Sequence, residues 1–152
     1  MSAPWAAVIG VGNEFRHDDG IGPALVAAVQ HRTLPGVRVV STDGEPTGLL
    51  DAWADVTLAV VIDAVVCEPA TPGRIHRTAV DELPPAAGTA GTHGFGISDA
   101  VELGRVLDRM PRRLIVYAVE AANVSLGLGL SCPVAAALPA LVDAVLRELG
   151  HR

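Results

Sequence analysis

Lysine is absent from the 152 residues, so all eleven basic side chains are arginines. That excludes a phosphate-binding P-loop, whose glycine-rich turn needs a lysine. Against seventeen acidic residues the arginines leave a formal net charge of −6. No basic run offsets it, which argues against nucleic acid as a partner. Aromatic residues make up only 3% of the chain, so any core must be built from Ala, Val, Leu and Ile. Cysteine occurs twice, as Cys67 and Cys132; this is no metal-binding spacing, and nothing demands a disulfide. No apolar stretch reaches membrane-spanning length without Gly, Pro or charge. The opening residues MSAPWAAVIGVG lack the basic start of a signal peptide. The expected setting is therefore cytoplasmic, with no membrane partner. The His-Glu-x-x-His and Gly-x-Ser-x-Gly signatures of zinc peptidases and serine hydrolases are missing as well.

What is present is an apolar chain, 50% hydrophobic, enough for the core of one domain spanning residues 1–152. Residues 5–11 form an apolar run closed by Gly12-Asn13, a buried strand and its turn. Residues 21–32 read as a helix, with Pro23 tolerated in its first turn. A second strand covers 37–41, a short helix 47–54, and a long strand 57–66. This last run does not alternate, so it must be covered on both faces, as in a parallel sheet. Residues 74–80 do alternate and suit an antiparallel edge strand. A loop rich in Gly, Ala, Thr and Pro (84–96) leads to a helix over 97–108, a strand over 114–119, and a last helix from Ser131, an N-cap, to Gly150. The alternation predicts an α/β domain: a mostly parallel twisted sheet of about five strands with helices on both faces.

Such sheets bind ligands beyond the C-terminal ends of their strands. There the chain gathers Asn13, Glu14, His17, Asp18 and Asp19 after the first strand, and Asp43 and Glu45 after the second. Asp63 lies near the end of the third, Glu120 closes the last, and His93 sits in the glycine-rich loop. Carboxylates with an imidazole suit a borderline divalent ion such as nickel or zinc. Asp63 is the sharpest, because a carboxylate inside an apolar strand is costly unless paired, hydrogen-bonded or bound to a cation. Its bland explanation is a bond to a neighbouring loop's amides. Asp18 and Asp19 precede a helix; one acid suffices to cap it, which frees the other for the cleft, and the residues alone do not say which. His17 is a neighbour of the acids rather than a ligand, and His31, His76 and His151 read as solvated. Gly10-Val-Gly12 with Asp43 invites a dinucleotide-binding reading. However, the third glycine of that fingerprint would fall at Phe15, and two adjacent acids would repel a pyrophosphate.

The order Val8-Ile-Gly-Val-Gly-Asn13, Asp18-Asp19-Gly20-Ile-Gly22-Pro23, Asp43-Gly44, Thr47-Gly48-Leu49-Leu50, Val61-Ile62-Asp63-Ala64-Val65, Thr92-His93-Gly94-Phe95-Gly96 and Gly129-Leu130-Ser131-Cys132-Pro133-Val134 resembles the hydrogenase maturation proteases along nearly the whole chain. The resemblance implies an endopeptidase, grouped with the aspartic type. It would remove the C-terminal extension of a nickel-loaded nickel–iron hydrogenase large-subunit precursor, a partner met transiently. By position it also implies that Asp19, Asp63 and His93 contact nickel. The metal then belongs to the substrate more than to the enzyme, so the resting protein need hold none. The base acting on water would be Asp19 or Asp63, or else the metal only docks the substrate. The same ligands would serve a non-catalytic nickel-sensing chaperone, and a nucleotide-binding protein is a more distant alternative. The chain departs from the family pattern at Glu14-Phe15-Arg16-His17, which is more polar than expected, and at Val119-Glu120-Ala121-Ala122, which lacks a proline. Both segments rim the expected cleft and bear on substrate choice.

Overall fold

The computed structural model describes residues 3–80 and 94–150. Its centre is a five-stranded sheet of β1 (Ala6–Val11), β2 (Val37–Thr42), β3 (Leu58–Val65), β4 (Ile75–Ala79) and β5 (Arg113–Glu120), in the spatial order β2-β1-β3-β5-β4. All pairings are parallel except β4 on β5. The two apolar runs without alternation, β1 and β3, sit side by side inside the sheet and are buried almost throughout. The alternating run, β4, is the half-buried antiparallel edge.

Helices cover both faces. α1 (Ile21–Gln30) and α4 (Cys132–Gly150) pack on one, where Ala6, Val8, Val60 and Ile62 meet Leu25, Val29, Leu141 and Val145. α2 (Pro46–Ala52) and α3 (Gly94–Leu107) pack on the other, against Ala7, Ile9, Ala59 and Val61. The period of two along each strand sends alternate side chains into these two cores. Each fully buried aliphatic side chain contributes roughly 1.5–3 kcal/mol, which lets a core poor in aromatics hold the sheet. Trp53 is the exception, fully buried with its indole N–H donating to the Arg109 carbonyl at 2.9 Å. Among the described residues no helix is long and apolar enough to cross a membrane.

Two glycines set how α1 leaves β1. A side chain on Gly10 would run into the Gly22 backbone, and one on Gly22 into the Val11 backbone. Their hydrogens let the helix start lie directly on the strand. Gly10 and Gly22 thus serve the close packing of α1 on β1. From β1 the chain crosses to β2 on one side, then returns to place β3 on the other side of β1. The crevice between the C-terminal ends of β1 and β3 is therefore the topological switch point, where open α/β sheets bind their ligands.

Candidate functional site

A 3-10 turn, His17–Gly20, lies over that crevice between β1 and α1. Gly12, at φ 139°, permits its close approach, since a Cβ there would collide with the Asp19 carbonyl oxygen. The turn carries both candidate acids, and the structure separates them. Asp18 is fully buried. It accepts hydrogen bonds from the Ala122 amide (2.8 Å), the Asn123 amide (3.1 Å), the Ser131 amide (2.7 Å) and the Ser131 hydroxyl (2.8 Å). Burial pushes its carboxyl up, but the bonds from Ser131, Ala122 and Asn123 outweigh that and hold it below the usual carboxylate range. Asp18 is thus neither a helix cap nor a cleft ligand. It ties the turn to the loop between β5 and α4. Ser131 does precede α4, as read from the sequence, but the bond its hydroxyl makes is the one it donates to Asp18.

Asp19 is left facing the crevice side, half-buried, with its Oδ2 accepting from the Asn13 amide at 2.8 Å. Asp63 continues the row of Ala59 and Val61 on the face covered by α2 and α3. It is 5% exposed, and its Oδ1 accepts from the Ala64 amide at 2.8 Å, a bond within its own strand. Among the described residues no neighbouring loop's amide bonds to it. Burial pushes its carboxyl well above the usual range; the Ala64 bond opposes this, and the nearby charge of Asp19 pushes it further up. The two acids are therefore electrostatic neighbours, and the charge of Asp19 disfavours the ionised form of Asp63. His93 lies outside the described residues. α3, which begins at the following residue, packs on the Asp63 face. Among the described residues no group of three or more His, Cys, Asp or Glu is arranged to hold a metal; the described donors are the two aspartates.

Two of the remaining acids gathered by the sequence, Glu120 and Asp43, have other partners. Glu120 is buried and accepts from the Thr71 amide (2.7 Å) and pairs with His76 Nε2 (2.6 Å). The Thr71 bond and then His76 hold its carboxyl below the usual range. Glu120 therefore fastens the loop after β3 rather than joining the cleft, and His76 is its partner rather than a merely solvated histidine. Asp43 accepts from the Glu45 amide in a local turn. His17 Nδ1 lies 3.0 Å from the Gly129 carbonyl, a second tie to the loop after β5. Sequence reading missed the Asp18 and Glu120 ties because their partners are distant: Asp18 reaches residues 104 to 113 positions away. No local signal marks such a bond.

Comparison with known proteins agrees with this fold. A family model described as "Hydrogenase maturation protease" matches residues 24–148. Asp63 and His93 fall within that span and Asp19 lies just ahead of it. The chain is 30% identical over 149 residues to the Hydrogenase 2 maturation protease of Escherichia coli (strain K12), covering 94% of this chain and 91% of the relative. Among solved structures, an endopeptidase from Escherichia coli superposes with a TM-score of 0.85 at 26% identity, covering 95% of this chain and 91% of the other. The hydrogenase maturating endopeptidase HybD from E. coli superposes with a TM-score of 0.84 at 24% identity over the same shares, which supports the fold.

Proposed function

This chain belongs to the hydrogenase maturation protease family, and on that premise we propose that it removes the C-terminal extension of a nickel-loaded nickel–iron hydrogenase large-subunit precursor. The chain is a peptidase. In this reading the precursor is met transiently in the cytoplasm, and the nickel it carries is what the enzyme recognises. The observation that supports it is the pair Asp19 and Asp63 at the switch point. One of these acids is buried with a single described hydrogen bond, and the charge of the other opposes its ionisation. Such a pair is a donor set that an arriving divalent cation relieves. Asp19, Asp63 and His93 are the residues that would meet the substrate's nickel, and no resident metal is required. Asp19 is the more accessible acid. It takes a proton from the attacking water and returns it to the leaving amine as the carbon–nitrogen bond breaks.

The test is intact-mass spectrometry of the purified precursor after incubation with this protein, with and without nickel in the precursor. The expected outcome is loss of one C-terminal peptide from the nickel-loaded form only, abolished by His93→Ala. Equal cleavage of the nickel-free form would remove nickel from the reading, and cleavage by His93→Ala would remove that residue from the site.

A further inference from the structure

Six large hydrophobic side chains are exposed among the described residues, and four of them, Phe15, Val66, Leu126 and Leu128, lie at the C-terminal edge of the sheet. Val66 follows β3 directly after the Asp63 segment. Phe15 belongs to the segment that leads into the Asp19 turn. Leu126 and Leu128 are 78% and 71% exposed and flank Gly127 in the loop after β5. That loop is not free-standing. The Gly127 amide donates to the Phe15 carbonyl, the His17 amide to the Gly127 carbonyl, and Arg16 Nε to the Val124 carbonyl. Asp18 fastens both ends of the same loop, at Ala122 and at Ser131. Phe15, Leu126 and Leu128 therefore stand on two segments locked to each other, and the lock is the turn that carries Asp19. A groove of about 320 Å³ between α1 and this loop opens beside Leu128, with Pro23, Ala24 and Leu130 in its walls and Glu14 and His17 at its polar side.

Holding large apolar side chains in water on a braced loop does nothing for folding, since burial is what makes them stabilising. Apolar anchors beside a receiving groove, with a charged rim, are the anatomy of a protein-binding surface. Leu128 lines this groove together with His17 and Gly20, the two ends of the turn that carries Asp19, so a protein substrate presented to Asp19 lies against the patch. We propose that Phe15, Leu126 and Leu128 dock the folded body of the large-subunit precursor, by an apolar surface beside its C-terminal extension, and so hold the extension over Asp19 and Asp63. This rests on the precursor-processing reading, and it assigns affinity to residues separate from the acids.

The test measures binding apart from cleavage. Purified nickel-loaded precursor is immobilised and titrated with wild-type protein, the double variant Leu126→Glu/Leu128→Glu, Phe15→Ala, and Val106→Glu as an exposed apolar residue remote from the patch. Thermal unfolding of each variant confirms the fold. The expected result is a rise in Kd of about 10-fold or more for the double variant and a smaller rise for Phe15→Ala, with Val106→Glu unchanged. Unchanged affinity in the double variant overturns the proposal even if wild-type cleavage proceeds. Weakened binding in that variant sustains it even if no cleavage is seen, in which case the peptidase reading alone fails. Sedimentation of the free protein covers the other occupant: a wild-type dimer that the double variant converts to monomer, with precursor affinity intact, assigns the patch to a second copy of this chain and overturns the proposal.

Discussion

The region around Asp18 and the region around Asp63 lie at the same edge of the sheet and handle a buried carboxylate in opposite ways. Asp18 is fully buried and collects amides and a hydroxyl from a loop distant in sequence, which hold its carboxyl in the charged form. Asp63 is nearly as buried, has one described bond from its own strand, and its carboxyl is pushed toward the neutral form. The first arrangement stabilises the fold. The second is a strain that the fold tolerates, and strained ionisable groups in clefts are where chemistry concentrates. The contrast shows that depth of burial alone does not identify a working acid; what surrounds the carboxylate does.

The comparison is sharpened most by Asp63→Asn. Precursor cleavage is expected to fall by about 1,000-fold or more, while the melting temperature rises, because a buried carboxylate whose charge is disfavoured by burial and by Asp19 is replaced by a neutral amide of the same shape, a gain of roughly 1–2 kcal/mol. Activity retained with higher stability would leave Asp63 a mere defect of the core. Next in size is Asp18→Ala, expected to cost about 2–3 kcal/mol by stranding the donors of the 122–131 loop. A melting temperature equal to wild type would break the contrast.

A pH series separates the two acids by sign. Asp63's folded carboxyl lies above its ordinary value of 3.8, so the folded chain holds that proton more tightly than the unfolded one. Its destabilising charge therefore develops as pH rises from that value through the raised one. Asp18's lies below 3.8, so its stabilisation is present above that value and is lost as pH falls through the lowered one. The stability advantage of Asp63→Asn over wild type should vanish in acid and open as pH increases. An advantage constant with pH would mean that charge is not its origin. The smallest effect lies on the far side of the sheet, where Arg77 and Tyr117 donate to Glu148. Tyr117 is pushed up to about 12 by burial and then by its bond to Glu148. Glu148→Gln should bring its ultraviolet titration midpoint part of the way back toward 10.0, the ordinary value. An unmoved midpoint would leave burial as the sole cause.

Much of the architecture was legible from composition and periodicity. The strands over 5–11 and 57–66 are observed as Ala6–Val11 and Leu58–Val65, the edge strand over 74–80 as Ile75–Ala79, and the helices on both faces are present. The 3-10 turn His17–Gly20 was not legible, because one histidine, two acids and one glycine in a short stretch carry no period. Asp63 stood out because it breaks an apolar run. Asp18 and Asp19 could not be told apart, and Glu120 and His76 were misjudged as a cleft acid and a solvated histidine, since each depends on a partner across the fold.

The chain by itself determined which segments are buried on both faces, which edge of the sheet collects acids, and that one of those acids sits where a carboxylate is unwelcome. These follow from the spacing of apolar side chains, and that spacing is local. Only the tertiary structure decided that β1 and β3 lie side by side to open the crevice, that Asp18 serves the loop after β5 while Asp19 remains for the cleft, and that Glu120 fastens another loop. The physical reason is that a carboxylate's protonation and role are set by the donors and charges within a few ångströms of it. In this protein the deciding amides of Asp18 come from more than a hundred residues along the chain.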